Sequence, residues 1–197
     1  FVIDDVEYEV SGYETQDPAE VAAGVYTNNV SGDFKVKDPA GNDVTSEFAV
    51  HTEDGELEIA KRPVTVTAKG GEKQYDGKPL TAADTGYDIG GEGLVEGHEA
   101  DVALSGSQTA PGASPATVES VAVKDGDVDV ANNYDVATAD GSLKVTNRDA
   151  KYEVTLKANS STGNVYDGTE KSAKGVVTDR FVIDDVEYAV SGLSLIH

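Results

Sequence analysis

Hydrophobic and polar residues alternate with a period of two along most of the chain. Val64, Val66 and Ala68 fall on one face of the run 64–69, and Thr65, Thr67 and Lys69 on the other. That is the pattern of a half-buried strand, whose successive side chains leave opposite faces. The runs around Phe48/Val50, Leu57/Ile59, Val121/Val123, Tyr134/Val136 and Leu143/Val145 alternate alike, as does YEVTLK at 152–157. Asp54-Gly55 and Asp140-Gly141 each stand between two such runs. Asp-Gly supplies the positive φ of a type I′ turn, so the pattern predicts two hairpins. Each has a strand through Phe48 or Tyr134, a tight turn, and a closing strand through Leu57 or Leu143. Asp17-Pro18 pairs an N-cap with a proline at the first helical position and predicts one helical turn over 18–23. The remainder reads as loops, notably 105–116.

The same strings recur. Residues 1–12 (FVIDDVEYEVSG) and 181–192 (FVIDDVEYAVSG) agree at eleven of twelve positions, 180 residues apart. SEFAVHTEDGELEIAKR (46–62) resembles NNYDVATADGSLKVTNR (132–148) at a spacing of 86. Tyr75-Asp76-Gly77 and Tyr166-Asp167-Gly168 each follow an alternating run. Self-similarity at a fixed spacing marks a repeat architecture. Two module types of about 90 residues account for it, a usual domain size. Residues 62–148 form a complete type II module. Residues 149–192 open a type I module, and residues 1–61 carry the closing part of another. The closing strands run into the next opening strands through two to four residues, one link stiffened by Pro63. The split type I halves are expected to complete each other's strand edges, within one chain or between chains. Gly12 is followed by Tyr13, but Gly192 by LSLIH, and residues 193–197 read as a translated sequencing-library adapter outside the repeat.

Composition narrows the function. With 37 acidic and 15 basic residues the formal charge is −22, which disfavours nucleic acid and anionic membranes because both demand cations. The absence of Cys excludes disulfides and thiolate-bound zinc. The chain has no Met, which marks it as an internal or processed piece. No apolar run approaches the ~18 residues of a membrane-spanning helix.

The YDG motif after VTVTA, then GLVEGH (93–98), SGSQT (105–109) and NNYDVATADGSLKVTNR, resembles the tandem YDG/MBG-type β repeats of large Gram-positive surface proteins and adhesins. GNDVTSEFAVHTEDGELEIAKRPVTV (41–66) is similar to the closing half of that repeat. The type I copy departs at 17–30, where DPAEVAAGVYTNNV replaces a plain turn and strand. The resemblance implies an exported, wall-attached protein without catalytic residues or cofactor. Its repeats serve as a stalk or spacer contacting neighbouring modules. The alternatives are modules that themselves bind host glycan or matrix protein, and accessory spacers of a surface hydrolase. The expected fold is all-β, a string of small antiparallel modules of Ig-like sandwich type, with a β-grasp-like sheet as the alternative.

Candidate chemistry is sparse. Asp125, Asp127 and Asp129 could converge on Ca²⁺. An EF-hand loop counted from Asp125 needs Gly at 130 and Glu at 136, and finds Val at both, so a solvated acidic turn is the simpler reading. Asp4-Asp5 and Asp184-Asp185 read as polar hairpin turns. In each YDG, Tyr is expected to pack on the sheet, Asp to cap the turn and Gly to take positive φ. His51, His98 and His197 show no ligand spacing, and GGEG (90–93) lacks the Lys and helix of a phosphate loop. Lys69 or Lys157 with Asn133 are the nearest candidates for an isopeptide bond, and alternation puts Lys69 on the polar face.

Overall fold

The computed structural model describes residues 1–192. The strands are, in chain order, β1 (Val2–Ile3), β2 (Val6–Glu7), β3 (Glu9–Thr15), β4 (Gly24–Asn28), β5 (Val30–Lys37), β6 (Gly55–Ile59), β7 (Arg62–Ala68), β8 (Gly71–Gln74), β9 (Leu80–Thr81), β10 (Tyr87–Gly91), β11 (His98–Ser105), β12 (Ser107–Gln108), β13 (Gly112–Asp125), β14 (Val128–Asp129), β15 (Tyr134–Ala139), β16 (Gly141–Thr146), β17 (Arg180–Ile183) and β18 (Val186–Ala189). Among the described residues, helix is confined to α1 (Ala82–Thr85) and two 3-10 turns, Thr45–Glu47 and Ala131–Asn133. The protein is all-β.

The chain gathers into two compact units. One comprises residues 1–65, 89–101 and 121–137; the other comprises 66–88, 102–120 and the described residues from 138.

In the first unit β3 pairs antiparallel with β5, and β4 with β6. The β3–β5 register shifts between Ser11 and Tyr13, where Gly12 (φ 78°) and Gly32 (φ 127°) lie against each other's strand. A Cβ on either would run into a backbone carbonyl, so the bulge requires both glycines. Val36, Val64, Val123 and Tyr134 are buried here. In the second unit β16 pairs antiparallel with β13 and parallel with β8. Its core joins Ala68, Ala82, Ala116 and Leu143, with Leu80, Leu104 and Val118 packed against them. Val64, Val66 and Ala68 are 2 %, 0 % and 1 % exposed, as their alternation predicts.

The predicted hairpins at the two Asp-Gly pairs do not form. β15 belongs to the sheet β10-β7-β15, whereas β16 lies in β11-β13-β16-β8. Asp140 is therefore a corner at which the chain changes sheets. Neither Gly55 nor Gly141 has positive φ. Gly141 is required by proximity instead: a Cβ there would lie 2.7 Å from Lys69 C and 2.8 Å from Gly70 N. Those backbone atoms belong to the corner between β7 and β8, so two strand corners meet where only hydrogen fits. Around Asp54, residues 48–54 are not a strand, and β6 pairs with β4.

Two further expectations are corrected. No helical turn forms at 18–23. Asp17 has φ 48° and its N–H is held by Asn28 Oδ1, which removes it as an N-cap, since an N-cap needs extended backbone. Residues 17–23 are irregular, and the strand β4 follows at Gly24. YEVTLK at 152–157 is not a strand either, because no ladder runs beside it; Lys157 O only accepts from Val177 N. The acidic hairpins form as expected. Asp4 and Asp5 (φ 50° and 63°) join β1 to β2, and Asp184 and Asp185 (φ 50° and 64°) join β17 to β18. Positive φ at both central residues is the type I′ turn. The adapter-like residues 193–197 lie outside the described residues.

Candidate functional site

The two copies separated by 86 residues share their local geometry. The 3-10 turn Thr45–Glu47 starts from Val44 (φ −117°, ψ 19°), and its counterpart Ala131–Asn133 from Val130 (φ −119°, ψ 12°). Asp43 Oδ1 accepts from Thr45 N (3.0 Å), and Asp129 Oδ1 from Ala131 N (2.9 Å). Asp129 is thus a turn cap. Its bond to Thr45 holds the Asp43 carboxyl below the usual carboxylate range. No group of three His, Cys, Asp or Glu among the described residues is placed to hold a metal, so Asp125, Asp127 and Asp129 do not converge.

In the first YDG, Asp76 and Gly77 make the turn. Asp76 Oδ1 accepts from Lys73 Nζ (2.8 Å) and from Lys78 N (3.0 Å), and Gly77 has φ 80°. The lysine bond keeps Asp76 below its ordinary value, helped by the Lys78 amide. Half-buried Tyr75 meets Tyr188 edge to face at 6.4 Å. Gly77 has a second duty that sequence reasoning missed. A Cβ there would strike the Tyr188 hydroxyl, so its bareness seats the β17–β18 hairpin. Tyr188 also tilts against Tyr152 (6.0 Å), over whose ring Arg148 stacks at 4.0 Å. Burial, then the neighbouring Tyr75, push the Tyr188 phenol up to about 12. Its shielded hydroxyl has no hydrogen-bond partner within bonding distance among the described residues; Tyr75 acts on it by proximity.

In the second YDG the turn forms without the packing. Asp167 accepts from Thr169 N (3.0 Å) and Lys171 Nζ (2.7 Å), and Gly168 has φ 75°. The Lys171 bond, with those from Thr169, lowers Asp167 to about 2. Tyr166 is 94 % exposed, against the expectation that it packs, because no sheet forms beside it.

A buried tyrosine, Tyr134, organises a polar cluster in the first unit. The Tyr134 hydroxyl accepts from Val95 N (3.1 Å) and shares a hydrogen bond with His98 Nδ1 at 2.6 Å. The other ring nitrogen, His98 Nε2, lies 4.0 Å from Asp125 Oδ2. A cavity of about 270 Å³ opens beside it, lined by Ile59, Arg62, Val95, His98 and Tyr134 among others. The arrangement fastens the 92–97 loop and the first residue of β11 to β15. Arg62 adds to it, donating from Nε to Gly93 O (2.8 Å) and pairing with Glu92 (3.3 Å). Asn133 Oδ1 accepts from Ala23 N (2.8 Å), and Lys69 Nζ pairs with Asp88 (2.7 Å), so two of the three isopeptide candidates hold other partners.

No protein-family model, characterised protein or solved structure matches the chain. Among the described residues, no helix is long and apolar enough to cross a membrane.

Proposed function

We propose that these modules are non-catalytic spacers in an exported bacterial surface protein, stacked to hold a distal domain away from the wall. The observation that carries this reading is the connection between β6 and β7. Only Ala60 and Lys61 separate the strands, and Arg62 is tied at once to Gly93 and Glu92. A short link clamped by a hydrogen-bonded arginine restricts the angle between successive modules, as a stalk requires. Two further observations support it. The polar residues of the motifs are spent on turns, with Asp43, Asp76, Asp129 and Asp167 each accepting from backbone N–H groups. The charge of −22 makes modules repel and favours extension.

The test has two parts. Tandem copies of the 180-residue unit are measured by solution scattering, and the chain is screened on glycan and matrix-protein arrays. The spacer reading expects equal increments of length per copy and no saturable binding. Saturable micromolar binding replaces it with a ligand-binding role, and a compact scattering profile rejects the stalk.

A further inference from the structure

The chain has nine tyrosines and no Cys, Met or Trp. Cysteine and methionine are the usual targets of oxidants, and tryptophan gives up an electron about as readily as tyrosine. In their absence a one-electron oxidant acts on tyrosine. The fate of the phenoxyl radical then depends on what lies beside each ring.

Three tyrosines of the second unit lie together. Tyr188, on β18, meets Tyr152 at 6.0 Å between ring centroids and Tyr75 at 6.4 Å. Tyr152 touches the β17–β18 hairpin twice, because its hydroxyl also donates to Asp184 Oδ2 in the turn (3.2 Å). That carboxylate is an acceptor for the proton a phenol loses on oxidation, so a neutral radical forms there. The same hydroxyl accepts from Arg148 Nη1 (3.0 Å), and the guanidinium lies over the ring, which fixes Tyr152 in place. The Tyr188 hydroxyl has no bonded partner among the described residues, so no hydrogen bond holds that ring back from turning towards Tyr152. A cavity of about 510 Å³ opens beside Tyr75 and Tyr152 and admits a small oxidant. The other copy of the hairpin lacks this chemistry. Tyr8, which corresponds to Tyr188, meets Phe48 at 5.0 Å and Phe1 at 5.8 Å, and phenylalanine forms no phenoxyl radical.

We propose that Tyr152 and Tyr188 are a site of oxidative cross-linking, at which a haem peroxidase using hydrogen peroxide joins the β17–β18 hairpin to its module as dityrosine. Each phenol gives one electron to the oxidant and loses one proton, Tyr152 to Asp184 and Tyr188 to water. The two radicals join through ring carbons ortho to oxygen. The hydrogens on those carbons then move to the oxygens and restore both phenols. The pair loses two hydrogens in all, and one hydrogen peroxide is reduced to two waters. Between Tyr152 and the hairpin, the described residues form a single bridge, Ala158–Val176, and no ladder. The new bond closes that loop covalently, as a disulfide does in chains that have cysteine. The site rests on the second unit alone, and it holds whether the modules space or bind.

The test treats the dilute full chain with peroxidase and hydrogen peroxide, then isolates the monomer by size. The monomer is expected to lose the mass of two hydrogens, to gain dityrosine fluorescence, and to yield a cross-linked peptide pair carrying Tyr152 and Tyr188. Tyr152→Phe and Tyr188→Phe each keep the ring and should abolish the cross-link in the monomer. Tyr166→Phe, at the tyrosine that is 94 % exposed, should leave it unchanged. A monomer without dityrosine, a cross-link that maps to other tyrosines, or an undiminished yield in Tyr152→Phe or Tyr188→Phe overturns the proposal.

Discussion

Gly141 and Gly55 occupy equivalent repeat positions, and both follow Asp, yet the structure assigns them opposite sensitivities. A Cβ at Gly141 would lie 2.7 and 2.8 Å from backbone atoms of Lys69 and Gly70, and nearer still to the Ala68 carbonyl oxygen. Backbone cannot rotate away as a side chain can, so Gly141→Ala forces the two strand corners apart. Overpacking of this kind costs about 1–3 kcal/mol, and the corner borders the cluster of Ala68 and Leu143. At Gly55 the one neighbour within 4 Å among the described residues is Asn28 Cβ at 3.7 Å, an ordinary contact, and φ is not positive. Gly55→Ala therefore leaves the native contacts intact and restricts the unfolded chain, for a gain of ~0.4–1 kcal/mol. Urea denaturation at micromolar concentration, followed by tyrosine fluorescence and far-ultraviolet circular dichroism, measures both. Had the glycines served a type I′ turn, both substitutions would destabilise by similar amounts. Equal losses, or a harmless Gly141→Ala, would refute the sheet-changing corner.

Other outcomes follow from the same geometry. Tyr134→Phe leaves the Val95 N–H and His98 Nδ1 without their shared partner, and should destabilise the first unit by about 1–3 kcal/mol; an unchanged melting midpoint contradicts the bonding described. Gly77→Ala should unseat Tyr188, and its phenol, raised to about 12 by burial and Tyr75, should fall towards 10 in an ultraviolet absorbance titration. Tyr188 is held in its neutral form, so this contribution is present below pH 10 and disappears as pH rises through about 12. Asp167 behaves oppositely. With its folded value depressed to about 2, the hold of Lys171 and Thr169 on the turn is present above the ordinary value of 3.8 and lost as pH falls towards 2. Carboxyl carbon shifts in NMR should place that midpoint well below those of the unbonded carboxylates.

The period-two pattern was sufficient for the strands whose faces are decided by burial, such as β7, because alternation and core position say the same thing. It misled at Asp140-Gly141. A glycine between two alternating runs reads the same whether the chain reverses within a sheet or turns the corner into another. What separates the cases is the close approach of Lys69 and Gly70, which are distant in sequence. The strand at 152–157 was expected from local pattern alone, but a strand forms only beside a ladder. The α1 turn had a legible signal: Thr81-Ala82-Ala83-Asp84 is a capping box, with Thr81 and Asp84 bonded reciprocally. The roles of Asp76 and Gly77 could be read because Asx caps and positive φ are local. The seat of Tyr188 on Gly77 could not, since it depends on two segments more than 100 residues apart.

Amide hydrogen exchange tests most directly whether the equivalent segments of the repeats differ as the sheets require. The account predicts slow exchange at 64–68 and 134–139, which lie in a ladder, and fast exchange at 48–53 and 152–157, which do not. Equal protection of all four segments would contradict it.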